Sequence, residues 1–362
     1  MGNAARRNRE RPADDCRNVH TPPLGPARPS VVATVVALVV AAMLLVAGCS
    51  AAPQAAGPQG ADAAFPLTLD HAFGTTTIPA RPQRVVALGS ADVAVARALG
   101  ADVVGGLRNA GESQPQAPYL APFPDGVLTI SELEPLPLER IAAYRPDVIL
   151  AVSSYLVTDR DAYERLSAIA PTVVYRDVLF GAPMEDDARR IGAALGAPER
   201  AEELVARADG AVGALRAQLP GLAGRSVLVG QARGDVIPVI VDPANQSTAL
   251  TRALGLGLPP TFATDPPAGD EVAPGTVALS YEEAGRLAEA DLVVMSFPTP
   301  ADRRRFEGNP VVARALARTT YVPIGLDEAI ALQAPNVVST GWLLDRLRPA
   351  LERVAAAPAT GR

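Results

Sequence analysis

Leu138-Glu139-Arg140-Ile141-Ala142-Ala143-Tyr144-Arg145-Pro146-Asp147-Val148-Ile149-Leu150-Ala151-Val152 reads as two elements joined by a sharp corner. Leu138 to Tyr144 forms a short helix, Arg145-Pro146 cannot continue it, and Asp147 opens an unbroken apolar run that reads as a buried strand. The same grammar returns later: Ser280-Tyr281-Glu282-Glu283 enters a helix spanning Tyr281 to Ala288, and Asp291-Leu292-Val293-Val294-Met295 is its strand. The Glu-to-Asp separations are 8 residues from Glu139 to Asp147 and 9 from Glu282 to Asp291. One match would be weak; the pair argues for two related lobes.

Outward from this block, β-type runs alternate with helical stretches. Arg84-Val85-Val86-Ala87-Leu88 is a strand, Ala91 to Leu99 a helix closed by Gly100, and Val103-Val104-Gly105 a strand. Arg160 to Ala170 is helical, and Pro171 opens the strand Thr172-Val173-Val174-Tyr175. Such alternation means a parallel sheet flanked by helices. Pro183 to Leu195 reads as a helix ended by Gly196, and Pro198 starts another that runs to Leu219. Ala201, Leu204, Val205, Ala208, Val212, Leu215 and Leu219 recur along it at helical spacing. About 22 residues at ~1.5 Å rise span roughly 33 Å, enough to bridge two lobes. Beyond it, 227–229, 236–241 and 321–324 are strands, while 248–254, 310–317 and 341–355 are helices.

The 362 residues carry a formal charge of −6, two Cys, two His and no Lys, so all 33 cationic side chains are Arg. A Schiff-base Lys, a phosphate-loop Lys and a multi-ligand zinc centre are thereby excluded. At the N-terminus, six Arg lie between Arg6 and Arg28, and an apolar run broken only by Thr34 extends from Val31 to Ala47. Val46-Ala47-Gly48-Cys49 resembles the lipobox of a bacterial lipoprotein, which implies cleavage before Cys49 and a lipid on its thiol. An uncleaved anchor is the alternative, and both place the remaining chain outside the cytoplasmic membrane. Removing residues 1–48 takes six Arg and three acids with it, along with Cys16 and His20. The acidic remainder, without Lys, argues against a nucleic-acid partner. Ser50 to Ala64 is an Ala-, Pro-, Gln- and Gly-rich tether.

Catalytic constellations are scarce. His71 stands beside Phe73-Gly74 in an edge strand or hairpin and reads as structural, not as part of a Ser-His-Asp centre. Glu185-Asp186-Asp187 falls in a first helical turn, where acids answer the helix dipole, and Val104-Gly105-Gly106-Leu107 leads into a Pro-rich loop instead of a dinucleotide-binding helix. Binding reads more easily, because ligands of open parallel sheets sit outside the carboxyl ends of the strands. The loops there offer Gly89 and Ser90; Arg108 and Asn109; Ser153, Ser154 and Tyr155; and Arg176 and Asp177. The second half offers Gln231 and Arg233, Phe297, and the stretch from Gln333 to Trp342, with Trp342 itself read as core. Arg and Tyr facing each other across a cleft suit an anionic, aromatic or metal-chelate ligand.

Several runs carry a family resemblance. Phe73-Gly74-Thr75 to Ile78-Pro79, Pro82-Gln83-Arg84-Val85-Val86-Ala87-Leu88-Gly89, Glu134-Pro135 to Leu138-Glu139, and Arg145-Pro146-Asp147-Val148-Ile149-Leu150 are four of them. Leu166 to Val173, Ile191-Gly192 to Gly196, Glu199-Arg200-Ala201 and Asn309-Pro310 continue the order. The chain resembles the substrate-binding proteins of iron-siderophore, haem and cobalamin ABC importers over about residues 66–355. That resemblance implies an α/β fold of two Rossmann-like lobes with parallel sheets, joined by a single long interdomain helix, with the ligand between the lobes and little hinge motion. The expected organisation is a signal peptide (1–48), tether (49–65), N-terminal lobe (66–182), connecting helical region (183–221) and C-terminal lobe (222–357).

Family members dock on Arg of two permease subunits through one acid per lobe, and Glu139 and Glu282 match those positions. Tyr155 matches a ligand-contacting Tyr, with Arg108, Arg233, Ser154 and Phe297 as further expected contacts. The hydroxamate binders' Arg before the Glu-Pro block is replaced by Ser131-Glu132-Leu133, and their second-lobe Trp by Pro274-Gly275-Thr276. The expectation is a monomeric carrier, not an enzyme and without a cofactor of its own, tethered by lipid on Cys49 and delivering a ferric siderophore. Cobalamin, or haem with Tyr155 or Tyr119 as the iron ligand, is the same-class alternative; a non-transport accessory protein is the other.

Overall fold

In the computed structural model, β1 (Leu67–His71) and β2 (Gly74–Ile78) pair antiparallel and lead into the first lobe. That lobe contains β3 (Val85–Ala87), α1 (Ser90–Ala98), β4 (Val103–Arg108), β5 (Leu128–Ser131), α2 (Leu138–Ala143), β6 (Val148–Ala151), α3 (Arg160–Ser167) and β7 (Thr172–Val174). The structure describes residues 65–108, 117–131, 134–265, 270 and 273–358, all within one compact unit, Gln59–Arg362. The signal peptide, Cys49, the tether to residue 64, Asn109 and Glu132-Leu133 lie outside the described residues.

The first sheet is wholly parallel, in the order β5-β4-β3-β6-β7. The chain builds outward from β3 in one direction and then returns to build in the other, so the topological switch point lies between β3 and β6. Burial on both faces explains why these strands read as unbroken apolar runs. Val148 and Leu150 face one core cluster while Ile149 and Ala151 face another.

Two helices follow, α4 (Met184–Ala194) and α5 (Pro198–Gln218). They introduce the second lobe, made of β8 (Arg225–Gln231), β9 (Val236–Ile240), α6 (Gln246–Ala253), β10 (Leu256–Gly257), α7 (Pro260–Thr264), β11 (Thr276–Ser280), β12 (Leu292–Ser296), α8 (Pro300–Gly308), α9 (Pro310–Leu316), β13 (Thr320–Pro323), α10 (Leu326–Gln333) and α11 (Thr340–Ala356). The second sheet runs β11-β9-β8-β12-β13, with β10 beside β8. Its β8, β12 and β13 are parallel as expected and the short β10, unread in the sequence, joins β8 in the same sense, whereas β9 is antiparallel to both β8 and β11. The short link from Gln231 to Val236 is the reason: it makes a tight turn, and a parallel crossover needs a dozen or more residues. The segment read as a helix from Tyr281 is a 3-10 helix, Glu283–Glu289.

The long helix α5 bridges the lobes. Ala201, Leu204, Val205, Ala208, Val212 and Leu215 are all buried, as the periodicity anticipates. It packs on its neighbour α4 and on α6 and α11 of the second lobe. One apolar cluster runs through both lobes, taking in Val85 and Val148 of the first sheet, α5, and Val227 and Leu292 of the second. A shared core of this kind resists independent movement of the lobes.

The repeated Asp proves to do one job twice. Asp147 accepts the backbone N–H groups of Gln83 and Arg84 at 2.7 and 2.9 Å, tying the start of β6 to that of β3. Asp291 accepts Ser226 N at 2.8 Å and Ser226 Oγ at 2.9 Å, tying β12 to β8. Both pairs are parallel neighbours, so a spacing seen in sequence becomes an equivalence between lobes.

Candidate functional site

At the switch point the chain leaves β3 through Leu88, Gly89 and Ser90 and leaves β6 through Val152, Ser153, Ser154 and Tyr155. These turns are locked together. A Cβ on Gly89 would stand 2.3 Å from Ser153 Oγ and 2.5 Å from Asp92 Oδ2, so only glycine fits. Gly89 has no side chain with which to cap α1, and Ser153 does so from the neighbouring turn: its Oγ accepts Ala91 N at 3.1 Å and Asp92 N at 3.4 Å. In return Asp92 Oδ1 accepts Val152 N at 3.0 Å, and Asp92 Oδ2 accepts Ser153 N at 3.3 Å and Ser153 Oγ at 3.4 Å. Asp92 is fully buried, and desolvation pushes its carboxyl up to about 7 despite these hydrogen bonds.

Above the lock lies a small cleft with a cavity volume of about 50 Å³. Its first-lobe wall includes Leu107, Ser153 and Tyr155, while Ile330, Gln333 and Ala334 come from α10 and its end in the second lobe. Tyr155 is 38% exposed and stacks edge-on against Phe180, ring centroids 5.1 Å apart. Phe180 adopts φ +59°, a left-handed conformation costly for a bulky side chain by about 1–2 kcal/mol. Its carbonyl accepts Gln246 N of α6 at 3.0 Å, so the cleft wall is also joined to the second lobe. Beside that contact, Gln246 Nε2 donates to the buried Asp187, whose carboxyl is raised to about 8, first by desolvation. Asp187 therefore does more than answer a helix dipole.

Tyr155 lines the cleft, and Arg108 is exposed at the carboxyl end of β4, directly after the lining Leu107. Arg233 is exposed in the turn between β8 and β9, where it pairs through its backbone with Val236. Phe297 is half-buried against Phe306, ring centroids 5.5 Å apart, and lies outside the cleft lining. Ser154 requires correction as an expected ligand contact: it is 0% exposed and its Oγ accepts Leu156 N at 3.1 Å, so the hydroxyl shapes the turn. Gln333 and Ala334 fall in the stretch from Gln333 to Trp342 that the sequence offered, whereas Ile330 went unread because α10 is short. The signals for it were Gly325 before Asp327 and Glu328, with apolar residues four apart at Leu326 and Ile330.

Trp342 is half-buried between Tyr119, ring centroids 5.4 Å apart, and the Arg346 guanidinium, 5.7 Å from the ring. His71 is buried and structural, as read. Its Nδ1 accepts Phe73 N at 3.2 Å, which leaves Nε2–H to donate to Thr76 Oγ1 at 3.0 Å. Burial lowers its basicity, consistent with this neutral ring.

Glu139 and Glu282 are both exposed. Each follows an edge strand of its sheet, β5 or β11, at the carboxyl end. β11 is antiparallel to β9 and β9 to β8, so β11 runs in the sense of β8, and the two acids occupy equivalent places in the two lobes. The neighbouring Glu283 is committed locally. Its Oε2 accepts Ser280 N at 3.0 Å while Ser280 Oγ accepts Glu283 N at 3.3 Å, a capping box that leaves Glu282 outward.

A family model described as periplasmic binding protein matches residues 85–315, from β3 through the bridging helix and β12. The chain belongs to the periplasmic binding protein family. It is 32% identical over 164 residues to the "Probable siderophore-binding lipoprotein YfiY" of Bacillus subtilis, covering 45% of this chain and 48% of that one. With the "Fe(3+)-citrate-binding protein YfmC" of the same organism it shares 25% identity over 203 residues, 56% of this chain and 62% of that one. The chain thus spans about half to three-fifths of the curated relatives it matches. A solved periplasmic solute binding protein from Mycobacterium smegmatis superposes with a TM-score of 0.64 at 25% identity, over 80% of this chain and 98% of that one.

Proposed function

We propose that this protein captures a ferric siderophore or a related ferric chelate in the cleft between its lobes and delivers it to an ABC importer. The observation that carries the reading is the equivalence of Glu139 and Glu282, one exposed acid per lobe in matching positions of a two-lobed binding fold. Each would meet an Arg of one permease subunit. Exposed ion pairs are weak singly, so docking gains its strength from engaging both lobes at once. Arg108 and Arg233 offset the charge of the chelate, while Tyr155 packs on it. The names of the two Bacillus relatives support this class of ligand.

The proposed organisation follows the sequence: signal peptide 1–48, lipid on Cys49, tether to residue 65, lobes at 66–182 and 222–357, and the helical connection 183–221 between them. Such an anchor holds the carrier at the outer face of the membrane, near its permease.

Charge reversal of both acids, Glu139→Arg with Glu282→Arg, tests the reading. Uptake of the iron chelate should be abolished while affinity of the purified protein stays within about twofold. Affinity is read from the fluorescence of Trp342, the sole Trp, against ferric citrate, ferric hydroxamates, ferric catecholates, haem and cobalamin. Lost affinity in the double variant would refute the docking role, and flat responses to every ligand would refute the capture role.

A further inference from the structure

We infer that Asp92 is the positioning residue of the ligand site: its carboxylate holds the turn after β6, and with it Ser153 and Tyr155, in the shape that faces the cleft. The inference rests on the cleft being the ligand site, and goes beyond it by naming what fixes its floor.

The geometry is reciprocal and closed to water. Two backbone N–H groups of the β6 turn, Val152 and Ser153, end on Asp92, one on each carboxylate oxygen. Ser153 Oγ adds a third donation while accepting two N–H groups from the start of α1. Asp92, Ser153 and Val152 are 0%, 4% and 1% exposed, so no solvent can replace a lost partner. Tyr155 and Leu156, two and three residues farther along, form part of the cleft wall.

A carboxylate suits these donors, and the Gly89 backbone N–H that also bonds it, because it has only acceptors to offer. A neutral acid cannot serve them all, since its O–H becomes a donor and points at one of the N–H groups it formerly accepted. The turn should therefore loosen as Asp92 takes up a proton, which its raised affinity for protons brings near neutrality. The strands β3 and β6 beneath it bring no titratable side chain. On β4, parallel to β3, Arg108 is exposed at the same carboxyl end, and on α1 itself Arg97 is turned to the carbonyls of Ala121 and Pro122. From α4, Arg189 is engaged with Asp186 and Glu202, Glu185 feels Asp209 and Arg189, and Arg190 donates to the Val174 and Asp70 carbonyls. Asp187 is the α4 group whose charge is coupled to that of Asp92, each disfavouring ionisation of the other.

Hydrogen exchange of the Val152 and Ser153 amides in the intact protein, corrected for the chemical pH dependence of exchange, reads the turn without any ligand. Wild-type protection should fall about tenfold between about pH 8.5 and pH 6, while Asp92→Asn is weakly protected at both. Asp187→Asn should keep the pH-dependent fall, because its carboxyl does not touch the turn. In parallel, affinity for ferric citrate should fall about tenfold over the same range in the wild type and stay flat in Asp92→Asn.

Equal wild-type protection at both pH values overturns the inference, as does an Asp92→Asn protein protected like the wild type at pH 8.5. So does ferric citrate binding with one pH profile in both proteins. If ferric citrate binds neither protein while protection changes as expected, the positioning role stands and the ferric-citrate reading falls.

Discussion

Replacing Asp92 by Asn should flatten the pH dependence of folding stability in a defined window. In the folded chain its carboxyl releases its proton at about 7, against an ordinary 3.8. Between those values the folded protein holds a proton that the unfolded chain has already lost. Stability therefore falls as pH rises, by about 1.4 kcal/mol per pH unit for one group. The contribution is fully present below 3.8 and gone above about 7. From about pH 5 to pH 7 it amounts to about 2–3 kcal/mol, with no discount for solvent screening because the group is fully buried. Asp187, raised to about 8, adds a parallel slope that extends the window upward. His71 contributes the opposite slope, since burial lowers its proton affinity, but it is common to both proteins and cancels.

The assay is urea unfolding of wild type and Asp92→Asn at about pH 5, 6, 7 and 8.5. The stability of the variant relative to the wild type should improve by about 2–3 kcal/mol from the lowest pH to neutrality. Parallel curves would refute the argument, for they would mean that the carboxyl titrates alike in both states. The expected loosening of the cleft turn at low pH does not conflict with this gain in stability. Protonation removes the large penalty of a buried charge while giving up hydrogen bonds in one turn.

Two further outcomes follow from the packing. Asp291→Ala should cost about 2–3 kcal/mol, because it strands the N–H and hydroxyl donors of the buried Ser226, whereas Asp147→Ala in the equivalent but exposed position should cost about 1 kcal/mol; equal losses in urea unfolding would count against burial as the cause. Gly192→Ala should destabilise by about 1–3 kcal/mol, since its Cβ would lie 2.4 Å from that of Ala201 and force α4 away from α5. A neutral thermal shift would show that the two helices yield freely.

The central strands and the bridging helix were legible because their signals are local. β3, β6, β8 and β12 are buried on both faces, so they read as apolar runs, and α5 carries its buried stripe at a helical period. Weaker signals went unread. β5 and β11 are edge strands of four and five residues, and α10 is an eight-residue helix, each too short for periodicity to separate from a loop. The antiparallel course of β9 follows from a short connection, but its place between β8 and β11 depends on pairings between distant segments.

The site divides along the same line. Residue order alone determined the two-lobed plan, the repeated Glu and Asp, the scarcity of catalytic groups, and the carboxyl-end turns where a ligand would sit, since each is a matter of spacing or composition. Tertiary structure decided what those turns do. It buried Ser154 and used its hydroxyl within the turn, brought α10 of the second lobe against Tyr155 and Leu156 of the first, and set a lone acid of α1 beneath the turn of β6. Asp92 and Ser153 are 61 residues apart in the chain. No local pattern marks them as partners, because their pairing arises only where two non-consecutive strands lie side by side.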